Sequence, residues 1–106
     1  MAVVERAVTI VNPLGVHARP AAEFVKVANR FRSNIEARKD DLTVNGKSIM
    51  GVMMLAAEYG AQVMLRTDGD DAVEAMDALT ALIASGFNEM ELPSESDEFE
   101  EPEQTT

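Results

Sequence analysis

The chain has 106 residues, 46% of them apolar, enough for one domain with a real core and too few for two. It contains no cysteine, which excludes disulfides, thiolate chemistry and Cys-ligated zinc or iron–sulfur sites and suits a reducing cytoplasm. The net charge of −10 is uneven: residues 1–50 sum to +3, residues 51–92 to −7, and residues 93–106 hold six acids and no base. With so sparse a positive half, four Phe, one Tyr and no Trp, the composition argues against nucleic acid as a partner. The opening "MAVVERAVTIV" lacks a basic start and a long apolar run, so it reads as neither a signal peptide nor a membrane span.

Taken in chain order, "RAVTIVN" (6–12) alternates, with Val8 and Ile10 on one face, and predicts a strand. Asn12, Pro13 and Gly15 break it. From Pro20 the spacing turns helical, with Ala21, Phe24, Val25 and Ala28 at i, i+3, i+4 and i+7. "NIEARKD" and "LTVNG" predict a hairpin turning at Asp40–Asp41. "SIMGVMMLAAEYG" (48–60) predicts a short helix with Ser48 as N-cap and Gly60 as its stop. "AQVMLRT" (61–67) predicts a strand with Val63 and Leu65 inward. "DGDDAVEAMDALTALIASG" predicts a helix with acidic caps, an apolar stripe through Val73, Met76, Leu79 and Ile83, and a stop at Gly86. The order β-α-β-β-α-β-α predicts an α+β domain, a four-stranded antiparallel sheet with three helices on one face. Element order alone does not separate this from a ferredoxin-like split βαβ fold. The domain is expected over residues 1–92. Residues 93–106, "PSESDEFEEPEQTT", have too little apolar surface to offset the entropy of ordering and predict a disordered acidic tail.

His17 is the sole histidine. No second His or Cys stands at ligand spacing, so it makes a poor metal ligand, and no nucleophile-elbow motif accompanies it. Pro20 fits the first turn of a helix, which places His17 at or just before a helix N-terminus, where unpaired N–H groups and the dipole favour an anion. Arg19 adds a permanent cation able to donate two parallel hydrogen bonds to phosphoryl oxygens. Imidazole is a competent nucleophile near neutral pH. Each feature has an ordinary explanation alone. Their coincidence around one histidine points to a transient phosphohistidine.

The segment "LGVHARPAAEFV" resembles the active-site signature of the HPr family, the histidine-containing phosphocarriers of the bacterial phosphoenolpyruvate-dependent phosphotransferase system. "NGKSIMGVMMLAA" (45–57) resembles that family's regulatory-serine segment, and the likeness runs from about residue 5 to residue 88. The resemblance implies an open-faced β-sandwich and a stoichiometric carrier rather than an enzyme, monomeric and cytoplasmic, with no cofactor or metal. His17 would take phosphate on Nδ1 from Enzyme I and pass it to an EIIA-type protein. The backbone amides of Ala18 and Arg19 would hold the phosphate, with the Arg19 side chain assisting. Ser48 would be the target of an HPr kinase/phosphorylase, and Ala22, Ile49, Met50 and Met53 would form an apolar docking patch. Methionines at helical spacing are usually core, yet so short a helix cannot bury every side of this run.

"ALIASGFNEME" resembles the nitrogen-related paralogue, whereas the Ser48 block resembles the sugar-uptake, kinase-regulated carriers, so both branches stay open. Two other readings stand beside the carrier: a ferredoxin-like small-molecule sensor, and a protein-binding regulator switched by phosphate on Ser48.

Overall fold

The computed structural model describes residues 2–88. The elements run β1 (Ala2–Thr9), α1 (Ala18–Ala28), β2 (Asn34–Lys39), β3 (Leu42–Asn45), α2 (Ile49–Met54), β4 (Gln62–Gly69) and α3 (Ala72–Ala84). The sheet order is β1-β4-β2-β3 and every neighbouring pair is antiparallel. The last strand, rather than the second strand of the hairpin, lies between β1 and β2. That placement resolves the choice left open by element order. The acidic segment 93–106 and the proposed domain end at residue 92 lie outside the described residues.

One face of the sheet carries the core. Along β4, Val63, Leu65 and Thr67 are buried, and on β2 Ile35 and Ala37 are buried beside them. The alternate positions Glu36, Arg38, Met64 and Arg66 face away, as a period of two requires. On the inner face Ala21, Phe24, Val25 and Ala28 of α1 meet Ala75, Met76, Leu79 and Ile83 of α3. Each fully buried large side chain among them stabilises the fold by about 1.5–3 kcal/mol.

Four features differ from the sequence expectation for a physical reason that can be named. β1 begins at Ala2 and ends at Thr9, rather than spanning 6–12, because it pairs with β4 from Ala2–Gly69 to Thr9–Gln62. As an edge strand it is mostly exposed along its first half, so no alternation marks it there. α2 stops at Met54, not near Gly60, because Ala56 takes a left-handed conformation (φ 50°) and turns the chain. On α3 the buried stripe is Ala72, Ala75, Met76, Leu79, Leu82 and Ile83, and Val73 is exposed, lying about 100° round the helix from Ala72.

The fourth concerns Asp71. It occupies the N-cap position of α3 but makes no side-chain capping bond. Its carboxylate instead accepts from Ser33 Oγ (2.5 Å), Ser33 N (2.9 Å) and Arg32 N (2.8 Å), tying the start of α3 to the turn between α1 and β2. Gly69 permits this approach, since a Cβ there would lie 2.5 Å from Ser33 Oγ. The Ser33 hydroxyl, then the Arg32 amide, hold the Asp71 carboxyl down at about 2, against an ordinary 3.8. A depressed carboxyl stabilises the folded state above its unfolded value and loses that contribution as pH falls through the folded one. Melting temperatures recorded from about pH 5 down to about pH 2 should therefore fall less steeply for Asp71→Asn than for wild type. Parallel curves would show that this carboxylate has no part in acid stability.

Candidate functional site

His17 is the N-cap residue of α1, with extended backbone (φ −92°, ψ −165°), and its carbonyl accepts the Ala21 N–H at 3.0 Å. The first helical residues are Ala18, Arg19 and Pro20. Proline brings no N–H, so the helix start presents two amides, those of Ala18 and Arg19, that no intrahelical carbonyl can reach. The His17 side chain makes no capping bond across them. Ala18 and Arg19 are exposed and His17 is half-buried. The imidazole, two outward amides and a guanidinium thus belong to three consecutive residues at the positive end of an eleven-residue helix. An anion of phosphate size is the ligand such an end accepts.

The loop that delivers His17 is built more tightly than its turn-forming residues suggested. Asn12 is fully buried; its Nδ2 donates to Gly15 O at 2.7 Å, and Gly15 N donates back to Asn12 O at 3.0 Å. Val16 N donates to Ala57 O at 2.8 Å. Gly15 has φ 70°, and a Cβ there would fall 2.6 Å from Ala57 O and 2.9 Å from Glu58 Cα. Further out, Ile10 N donates to Ala61 O (2.9 Å) and Gly60 N to Ile10 O (2.7 Å). The His17 loop is therefore sewn to the segment that leaves α2. Asn12 and Gly15 are positioning residues that the sequence marked only as strand breakers. The Asn-Pro-x-Gly run signals a turn, but nothing in it shows that the turn is packed against a chain forty residues away.

Ser48 is half-buried and is the N-cap of α2, where its Oγ accepts the Gly51 N–H at 3.0 Å. Of the apolar residues in and just after this helix, Val52 and Leu55 go to the core. Ala22 of α1 and Ile49, Met50 and Met53 of α2 are all exposed, Met50 by 71%. Leu14, Met54 and Tyr59 are exposed apolar residues as well, and no motif sets them apart from core positions. Leu14 and Tyr59 flank the two loop segments that Gly15 and Val16 bring together. No group of three or more potential metal ligands occurs among the described residues. No helix among them is long and apolar enough to cross a membrane.

The family described as "PTS HPr component phosphorylation site" matches residues 4–85, nearly the whole described chain. The chain belongs to the HPr family. The Phosphocarrier protein HPr of Cupriavidus necator is 52% identical over 87 residues, covering 82% of this chain and 98% of that protein. The HPr of Pseudomonas putida is 54% identical over 87 residues, covering 81% and 97%. Among solved structures, an HPr from Thermoanaerobacter tengcongensis superposes with a TM-score of 0.78 at 49% identity, covering 81% of this chain and 97% of that one. The HPr of Bacillus anthracis gives 0.75 at 47%, covering 78% and 99%. Membership makes this chain a phosphoryl carrier of the phosphotransferase system rather than a catalytic enzyme. The acidic segment lies beyond the residues that the HPr family matches.

The close approach at Gly15 yields a direct test. Gly15→Ala should lower stability by more than about 1 kcal/mol, since both the left-handed backbone and the lack of space oppose a methyl group. It should also slow phosphoryl acceptance by displacing the loop. A variant that melts with wild type and accepts phosphate at the same rate would show that the two loops are not held together here.

Proposed function

We propose that His17 is the phosphoacceptor, receiving the group from phosphorylated Enzyme I and passing it to an EIIA-type protein. The observation that carries this is the position of the chain's sole histidine, capping α1 beside the open amides of Ala18 and Arg19. In the transfer, the lone pair of an unprotonated His17 ring nitrogen, Nδ1 by family likeness, attacks phosphorus. The new N–P bond forms as the donor's N–P bond breaks, and the donor imidazole keeps the bonding electrons. The phosphoryl oxygens then meet the Ala18 and Arg19 amides and the Arg19 guanidinium. Donation to the next protein runs the same steps in reverse. The family likeness also supports the cytoplasm as the compartment proposed for this chain, acting as a monomer.

His17→Ala should abolish phosphoenolpyruvate- and Enzyme I-dependent labelling while changing stability by only about 0.5–1 kcal/mol, as expected for a half-buried helix-start position. The label in wild type should be acid-labile and base-stable. Acid-labile labelling that persists in the variant would refute the assignment.

Ser48 is proposed as the regulatory site, acted on by an HPr kinase/phosphorylase. Its support is the cap geometry together with the exposed Ile49, Met50 and Met53 immediately after it. A phosphate adds a charge of about −1.5 to −2 beside that apolar patch. When a partner docks there, the dianion must be desolvated or repelled. Ser48→Asp should therefore slow labelling of His17 roughly tenfold, about 1.4 kcal/mol, relative to Ser48→Ala. Equal rates would leave Ser48 as a helix cap and nothing more. The Ser48 block is the feature on the side of the sugar-uptake branch, and the similarity of residues 81–91 to the nitrogen-related paralogue is the feature on the other.

A further inference from the structure

The exposed side of α1 carries an electrostatic feature that phosphoryl capture by His17 and Arg19 does not require. Arg19 and Lys26 of α1 are exposed and lie about 20° apart around the helix axis, and Arg30, exposed in the turn just past the helix end, continues the line, so the three cations form a stripe about 17 Å long. Glu23, half-buried, is the one acid along it. Among the described residues, Arg6 is paired with Asp77, Lys39 with Asp40 and Arg66 with Glu5 and Asp68, while Lys47 donates to Phe31 O. The three cations of the stripe, like the exposed Arg32 and Arg38 elsewhere on the surface, have no such carboxylate or carbonyl partner among those residues. The described chain ends at Asn88, and Asn88 lines the same groove between α1 and α3 as Glu23, Val27 and Arg30. The segment that follows brings six acids and no base in residues 93–106.

We propose that the acidic segment 93–106 docks on the basic stripe of α1 and screens it from the partners of His17. Its first and last acids, Glu95 and Glu103, stand seven and fifteen residues beyond Asn88. A tether of seven to fifteen residues reaches about 15–22 Å, which matches the distance from Arg30 along the stripe to Arg19. Tethering beside the stripe gives the acids an effective concentration in the millimolar range, so weak contacts suffice. A partner that approaches Arg19 must itself be complementary to this stripe, and the segment competes with it for the same charges. The interaction is electrostatic and exposed, so salt dissolves it. It adds no core contact and leaves the fold unchanged. The docking itself is independent of the phosphoacceptor assignment; the screening rests on it.

Because the chain has no cysteine, Ser96→Cys gives a single site for a nitroxide label on the full-length protein. At about 10 mM salt the label should broaden the amide signals of residues 19–30 well beyond those of residues 34–39, and at about 1 M salt the difference should vanish. Lys26→Glu with Arg30→Glu should abolish the difference at low salt while leaving the rest of the amide spectrum in place. Broadening that ignores salt, or that survives the double substitution, overturns the proposal. So does broadening seen only between different molecules in a mixture of labelled and isotope-enriched chains, which would make a second copy the occupant. With Glu95, Asp97, Glu98, Glu100, Glu101 and Glu103 changed to their amides, acceptance from phosphorylated Enzyme I should be at least about threefold faster at low salt and unchanged at high salt. Equal rates at low salt overturn the screening. Absence of His17 labelling in both chains would instead count against the phosphoacceptor assignment, since the label experiment reads docking without phosphate.

Discussion

A glycine with no room for a methyl group is the constraint on which the site depends. Gly15 lies against the backbone of Ala57 and Glu58, and the neighbouring Val16 amide donates to Ala57 O. These two contacts join the loop before α1 to the segment after α2. The histidine end of one helix and the exposed methionines of the other are therefore joined through the same pair of contacts. Ala56 accepts an unfavourable left-handed backbone to bring the Ala57 carbonyl into place. The local cost, about 1–2 kcal/mol, falls where the carrier surface is assembled.

The surface that results differs from an enzyme's cleft. An apolar cavity lies among Ile10, Phe24, Leu65 and Ile83 in the core, with only apolar residues lining it. Ala18 and Arg19 stand exposed on the outside. A group that must be handed from one protein to another is better held on a convex surface, where either partner reaches it and neither is blocked by walls. In the docking patch proposed above, exposed methionines suit the same need, because an unbranched thioether side chain adapts to more than one partner surface.

Much of this was legible in the sequence, for reasons that can be named. The i, i+3, i+4, i+7 spacing of Ala21, Phe24, Val25 and Ala28 placed the buried face of α1, and the alternation of Val63 and Leu65 placed that of β4. His17, Arg19 and Pro20 are adjacent, so the relation among them is local and survives in one dimension. What was hidden depends on partners far along the chain. β1 exists because β4 pairs with it, α2 ends early because Ala57 is needed elsewhere, and Asp71 serves Ser33 rather than its own helix. Val73 failed as a core residue because an apolar side chain about 100° off the stripe looks the same in a list of letters as one on it.

The position of β4 in the sheet has a consequence for how the protein is made. β1 and β2 are the first strands to leave the ribosome, yet they do not pair with each other; each waits for the strand at residues 62–69. Until that strand emerges, the only ladder the nascent chain can form is the short hairpin of β2 and β3. The carbonyls that fix the His17 loop, at Ala57 and Ala61, appear just ahead of it. Contacts so distant in sequence slow folding, since the loops they close must be ordered before the contacts repay it. Synthesis therefore completes the central strand and the anchoring of the His17 loop close together, and a chain interrupted in its first half carries the proposed phosphoacceptor without the contacts that position it.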